Sequence, residues 1–381
     1  MQIAAHTKGI PVAIFAEHEP TPRRAPRGGG WFGWSLILVA IIAITTIALV
    51  PSPYVIETPG PVFNVLSSVK SDDTDVPLIE IPDEKTYPTS GSLDMLTVSI
   101  QGNRESPVNW FDVALAWLDP SKAVVPLESV YPAGVTVEQS NEENAAQMTS
   151  SQQEAIAAAL INLGYDVPTS VTIGQVGDDT PASGKLKAGD IVTAVDGKLV
   201  ADETALRAAI VANGTDKAIK IAVTRADKPV TVSITPVLST ADTPTPIIGV
   251  VLGASYTFPF DISIQIENVG GPSAGQMFAL GIIDKLTPGA LNGGADVAGT
   301  GTIAEDGTIG PIGGIRQKLY GASEAGAKYF LAPAENCNEV VGHVPDGLTV
   351  FSVEKLTDSL KVLSAIADKT DTSTLATCEA N

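Results

Sequence analysis

Histidine is nearly missing from this chain, with three in 381 residues. His6 and His18 lie close to the first residue, which leaves His343 as the one imidazole for the rest of the chain. A Ser-His-Asp site would have to be built on that residue alone. Cysteine is scarcer still: Cys337 and Cys378 are the whole complement, and neither sits in a setting that marks a nucleophile. No C-x-x-C pair or His/Cys cluster occurs, so no structural metal site is expected. Lys and Arg number 23 against 43 Asp and Glu, a net charge of −20, which excludes nucleic acid as a partner because its binding needs clustered cations. No G-x-x-x-x-G-K-[ST] stretch is present, so the chain carries no phosphate-cradling loop of that type and no cofactor is expected. Aromatics make up only 5% of a composition that is 44% hydrophobic, so the core is one of small aliphatics. That suits packed α+β domains, two or three of them at this length, and argues against disorder.

What the chain does have, early on, is a long apolar run. Residues 31–50 contain no charge and are long enough to cross a bilayer as a helix. Trp31 and Trp34 stand at the front edge, where indoles favour the headgroup layer. Arg23, Arg24 and Arg27 precede the run and no Lys or Arg follows before Lys70. The positive-inside rule then predicts a cytoplasmic tail over 1–30, a single membrane pass over 31–50, and all later domains outside. A cleaved signal peptide competes with this reading, but the run is long and Pro51-Ser52-Pro53 is not a small-x-small cleavage site. Both cysteines then lie outside, where a disulfide or two unpaired thiols are both open.

Residues 51–164 read as an α/β segment associated with the C-terminal unit. It holds a strand over 93–100, a short helix over 109–117 and a long helix over 142–163, with Gly164 as its stop. A second unit spans 165–238: strands over 171–176 and 191–195, the Asp196-Gly197 turn, a helix over 204–211, and a hairpin over 219–225 and 230–236. Pro181-Ala182, Leu186-Lys187-Ala188-Gly189-Asp190-Ile191 and Val195-Asp196-Gly197, with Arg225 closing a strand, resemble a PDZ domain of the type attached to bacterial proteases. The resemblance implies a peptide held as an added strand. The expected groove lies between 171–176, with Val171 and Ile173, and the helix over 204–211, and the carboxylate loop is expected at Gly164 and Tyr165. A PDZ domain serving only as a spacer is the plainer alternative. A polar, proline-containing linker over 239–246 leads to a third unit over 247–363, and 364–381 form a C-terminal tail.

The third unit carries the chemistry. Residues 260–266 alternate apolar and polar as a strand does. After the turn at 267–271, Pro272 fits the first position of a helix, which places Ser273 in its first turn. Free N–H groups and the positive end of the helix gather there, near Gly271, Pro272 and Ala274, which suits a developing oxyanion. A strand over 295–303 comes next, and Gly313-Gly314 opens a helix over 315–326 that carries Lys318. A lysine works as a base once burial brings its pKa toward neutral, and Thr300 is placed to orient its amine. Taken alone, Ser273 is an N-cap and Lys318 a surface lysine. Taken together they form a Ser-Lys dyad, which needs no histidine. Gly299-Thr300-Gly301-Thr302-Ile303-Ala304 fits a dinucleotide pattern, but it opens no helix and is set aside.

Pro272-Ser273-Ala274-Gly275, Asp296-Val297-Ala298 with Thr300-Gly301, and Pro311-Ile312-Gly313-Gly314 with Lys318 resemble the proteolytic domain of Lon peptidases. The order of apolar span, PDZ and Lon-type domain resembles the membrane-anchored Lon-like PDZ proteases of Gram-positive bacteria. By that resemblance Ser273 is the nucleophile, Lys318 the general base and Thr300 their neighbour. It implies an ATP-independent, extracytoplasmic endopeptidase acting on unfolded or exported proteins and peptides, and self-association into a homo-oligomer. Two positions depart from ATP-dependent Lon: Gly270 stands where aspartate is usual, and Thr302 where glutamate is usual. A PDZ scaffold with a vestigial protease domain, or a Ser-Lys hydrolase of a non-peptide amide or ester, is the alternative.

Overall fold

The computed structural model describes residues 29–71, 74–200, 202–239 and 243–378. Residues 1–28 of the predicted cytoplasmic tail, with its arginines, lie outside the described residues, as do parts of the linker and the last three residues of the C-terminal tail. Helix α1 (Gly29–Leu49) contains most of the apolar run. Most of its described side chains are exposed: Trp34, Leu36, Leu38, Val39 and Ile42 are all more than half exposed. Counting only described residues, no helix is long and apolar enough to cross a membrane.

Beyond α1 come β1 (Tyr54–Asn64), β2 (Ser92–Gln101), α2 (Trp110–Ala116), β3 (Ala123–Pro126) and α3 (Val137–Asn162). The antiparallel unit is next, with β4 (Thr169–Val176), β5 (Ile191–Val195), α4 (Glu203–Asn213), β6 (Ile219–Arg225), β7 (Lys228–Ile234) and β8 (Val250–Tyr256). The chain closes with α5 (Gly275–Leu286), β9 (Asp296–Gly299), α6 (Ile315–Glu324), β10 (Tyr329–Pro333), β11 (Thr349–Val353) and α7 (Leu356–Ala367).

One six-stranded sheet, in the order β11-β10-β9-β2-β1-β3, draws half its strands from each end of the chain. The pairs β11·β10, β10·β9 and β9·β2 are parallel; β2·β1 and β1·β3 are antiparallel. The segment expected to accompany the third unit is therefore half of that unit's sheet. Side chains alternate between two buried faces, as the period of a strand requires. Leu93, Met95, Val297, Leu331 and Phe351 face α3, α5 and α7. Leu96, Ala298, Phe330, Ala332 and Val350 face α6. Helix α5 reads GQMFALGIIDKL and is buried from Gly275 to Asp284; a helix apolar on nearly every side must lie inside a layer. Each fully buried Leu, Ile or Phe contributes about 1.5–3 kcal/mol to that packing.

The antiparallel unit is inserted between α3 and α5. Its sheet runs β7-β6-β5-β4-β8, with Lys198–Leu199 paired to β5. Val171, Ile173, Leu186, Val192, Leu206 and Ile221 fill its core. Arg225 closes it: its Nε and a terminal nitrogen donate to the two carboxylate oxygens of Asp190, at 2.7 and 2.6 Å. The Arg225 hydrogen bonds hold the Asp190 carboxyl below the usual carboxylate range.

Several boundaries differ from the sequence expectation. The alternating run over 260–266 forms strand only at Ser263–Ile264, which pairs with Ile79–Glu80. The strand expected over 295–303 breaks after β9, and Thr302–Ile303 pairs instead with Ile309–Gly310. Strand β8, expected in the third unit, belongs to the antiparallel sheet. Cys337 and Cys378 are disulfide-bonded, which closes the open question about them. The bond ties the C-terminal tail back beside β11, where Ser352 N–H donates to the Ala376 carbonyl (2.9 Å). It closes a stretch 41 residues apart in sequence. Replacing both cysteines with serine is expected to cost about 3–4 kcal/mol. Denaturant midpoints of parent and double variant, each with and without reductant, check this: reductant should lower only the parent.

Candidate active site

Ser273 lies in the loop that enters α5, two residues before the helix begins at Gly275. It is therefore not in the first helical turn as expected. Gly271 adopts φ of +83°, a left-handed conformation that glycine takes without steric cost, and turns the chain into Pro272-Ser273. Lys318 comes from the first turns of α6, whose entry is set by Gly314 at φ +68°. A Cβ at Gly314 would stand 2.6 Å from Val98 Cγ2, so a larger residue there would push α6 off β2.

These two elements bring Lys318 Nζ within 2.7 Å of Ser273 Oγ. Lys318 Nζ also donates to Thr300 Oγ1 at 2.9 Å. The one hydroxyl hydrogen of Thr300 is used on the Ser273 carbonyl (2.9 Å), so toward the amine Thr300 acts as an acceptor. Gly301 N–H donates to that same carbonyl at 2.9 Å. The lysine thus spends an N–H on Thr300 in either protonation state, and its lone pair, once neutral, is left for the serine. Lys318 is 2% exposed. Burial disfavours the ammonium and pulls its pKa down to about 7.

The dyad opens into a cleft of about 680 Å³. One wall is β2 at Thr97, Val98 and Ser99, and the other is the loop from Asn268 to Ala274. Strand β9 pairs with β2 only over Ser92 to Met95. Beyond Met95 that edge of β2 faces the cleft, while its other edge pairs with β1.

Helix α3 forms the roof, which nothing in the motif spacing indicated. Asn144, Gln147 and Met148 line the cleft. The Asn144 carbonyl accepts from Gly271 N–H (2.9 Å), and buried Ser151 donates to the Pro272 carbonyl (2.9 Å). The usable signal was a serine on the buried stripe Met148, Ser151, Ala155. The same roof accounts for Gly270: a Cβ there would lie 2.7 Å from Asn144 Cβ, so aspartate does not fit.

The peptide groove expected beside β4 does not hold. β4 is an interior strand, flanked by β5 and β8, so no added strand can reach it. Val171 and Ile173 are core residues, 4% and 1% exposed. Gly164, at φ +88°, ends α3, and Tyr165 packs edge-on against Phe260 at 5.3 Å; neither lies at a groove. The strand order makes β7 and β8 the edges of this sheet, and the edge near α4 is β8. A cleft of about 240 Å³ lies between α4, at Arg207, Ile210 and Val211, and the chain from Thr245 to Val250 with Leu252.

Comparison with known proteins finds two families represented in the chain. Residues 267–365 match the model of the Lon protease (S16) C-terminal proteolytic domain, and residues 134–235 match that of the PDZ domain. Residues 267–365 are thus a Lon-type proteolytic domain. Lon protease 2 of Herpetosiphon aurantiacus is 38% identical over 109 residues, 27% of this chain and 13% of that protein. Lon protease of Haemophilus influenzae is 34% identical over 116 residues, 29% of this chain and 14% of that protein. The matched stretches thus span about one seventh of those relatives, and Ser273, Thr300 and Lys318 all lie within the 267–365 match. The crystal structure of the PDZ domain of an SdrC-like protein from Listeria monocytogenes is 29% identical, covering 22% of this chain and 86% of that one, with a TM-score of 0.21.

Proposed function

We propose that this protein is a membrane-anchored, extracytoplasmic serine endopeptidase that works without ATP. The observation that carries the catalytic reading is the 2.7 Å contact between Ser273 Oγ and a buried Lys318 amine. In its neutral form Lys318 takes the Ser273 hydroxyl proton as Oγ attacks the scissile carbonyl carbon. The resulting ammonium gives that proton to the departing amine, which leaves an acyl-Ser273 ester. Water then attacks the ester, Lys318 takes a proton from it, and the proton returns to Oγ as the acid leaves. The Gly271 N–H is already used on Asn144, and Pro272 has none. No described backbone carbonyl takes the N–H of Ser273 or Ala274, so these two are the donors for the oxyanion.

Substrate binds as a strand along the open edge of β2, which selects extended, unfolded chain. The PDZ domain adds a peptide site at the β8 edge. Its two connections, α3 and β8, lead to the roof of the cleft and toward the Ser273 loop, so occupancy there bears on the site. The charge-free run over 31–50, whose described apolar side chains are exposed, supports the anchor, and the Cys337–Cys378 disulfide supports an oxidising compartment. The missing phosphate-cradling loop supports independence from ATP.

The test incubates the purified full chain in detergent with an unfolded protein, without nucleotide, beside its Ser273→Ala twin. Cleavage by the parent alone is expected. Hydrolysis of small acyl esters with no cleavage of protein would favour a non-peptide hydrolase. Silence on both substrates would favour a scaffold.

A further inference from the structure

Helix α2 is short and two-faced. Asn109 caps it, accepting from the N–H groups of Phe111 and Asp112 at 2.9 Å each. Val113 and Ala116 are buried against the protein. The opposite face carries Phe111, Ala114, Leu115 and Leu118, spaced i, i+3, i+4 and i+7, with Trp117 beside them. Phe111 is 47% exposed, Leu115 51%, Trp117 63% and Leu118 82%. Scattered exposed hydrophobics are ordinary, whereas a contiguous aromatic and aliphatic stripe on the outer face of a helix marks an interaction surface.

The position of the stripe says what covers it. The chain leaves α1 at Val50, itself 43% exposed, and is pinned at once to the start of α2. Ser52 N–H donates to the Val108 carbonyl (2.8 Å), and Pro51 bridges Asn109. Tyr54 packs edge-on against Trp110 at 5.7 Å. Helices α1 and α2 are in contact. The exposed stripe therefore stands where an apolar helix meets the folded domain. Of its near charges, Lys122 pairs with Asp119 at 3.3 Å, and Asp112, which keeps its charge, accepts from Asn109 Nδ2 at 2.8 Å.

We propose that the outer face of α2 (Phe111, Leu115, Trp117 and Leu118) enters the boundary between headgroups and acyl chains of the bilayer that α1 spans, and so fixes the catalytic unit against the membrane. The proposal rests on the reading of α1 as an anchor. Aromatic and aliphatic side chains on one face of a helix are suited to that depth. With a chain of net charge −20 the attraction is apolar, so it needs no anionic lipid.

The experiment uses the full chain with Trp117 as its one tryptophan (Trp31→Phe, Trp34→Phe, Trp110→Phe), reconstituted into phosphatidylcholine vesicles. The chain is expected to float with the vesicles. Bromine on the upper acyl carbons of the lipid should quench Trp117 emission at least two-fold, and aqueous acrylamide should quench it little. Adding Leu118→Glu should at least halve the bromine effect without loss of flotation. Flotation with Trp117 unquenched by bromolipid overturns the proposal alone; strong acrylamide quenching would then show a face open to water, and weak quenching a face covered by a second copy of the chain. Failure to float overturns the anchor reading and this proposal together. A spin label on Leu118→Cys, in a chain otherwise unaltered and with its native cysteines bonded to each other, reads the same depth without touching a tryptophan. Greater relaxation by oxygen than by a water-soluble nickel complex is expected, and the reverse overturns the proposal.

Discussion

Replacing Lys318 with arginine is expected to lower kcat/KM for an unfolded substrate by at least about 10³-fold, the scale on which removal of a positioned base acts. Arginine keeps a cation available at this position, so a loss cannot be assigned to a missing positive charge. What disappears is the lone pair: guanidinium does not lose its proton in a protein and has no acceptor to offer the Ser273 hydroxyl. Ser273→Ala should fall equally far, and the double variant should be no worse than either single one, because groups that act as a unit do not add. Initial-rate measurements on the four proteins check this, with circular dichroism to show that each is folded. Near-parental activity in a folded Lys318→Arg would remove Lys318 from the mechanism. A double variant much slower than both single variants would mean that each residue works without the other.

The pairing of Ser273 with Lys318 was legible because each residue sits beside a structural signal that is local in sequence: Gly271-Pro272 before one helix, Gly313-Gly314 before the other. Scarcity of histidine sharpened it further. The surroundings were not legible, for reasons of distance. Ser151 reaches the Pro272 carbonyl across 121 residues, and Asn144 holds Gly271 from the same helix. In the sequence that helix is an Ala-rich amphipathic run with nothing to say which loop it covers. Strand β8 was lost for a related reason. A polar linker ahead of it looked like a domain boundary, yet the chain turns at Gly249, φ +78°, and returns to pair with β4. Edge and interior strands differ by their neighbours, and a single sequence does not show neighbours. The groove expected between 171–176 and the helix over 204–211 failed on that point, since the strand at its edge already has two partners.

Lys318→Met should separate burial of the lysine from its chemistry, through the dependence of stability on pH. The amine ordinarily titrates near 10.5 and falls to about 7 on folding, because burial penalises its charge. Between those values the unfolded chain holds a proton that the folded chain does not, so the contribution of Lys318 to stability rises with pH across that window. Below pH 7 both states are protonated, and the folded protein bears the full cost of an ammonium held away from water. Methionine fills similar space without the charge. The variant should therefore be more stable than the parent at pH 6, and its advantage should shrink by about 1.4 kcal/mol per pH unit from 7 upward. Carboxyls whose pKa burial raises, such as Glu57, Glu154 and Asp284, titrate in both proteins and cancel in the difference. Urea midpoints of both proteins from pH 6 to 9.5 measure the gap. Parental kcat/KM should rise over the same range with a limb near pH 7, since the deprotonated amine is the one that stabilises the fold and activates Ser273. A gap that stays flat with pH would mean that folded Lys318 keeps its proton throughout, and it could then not serve as the base near neutral pH.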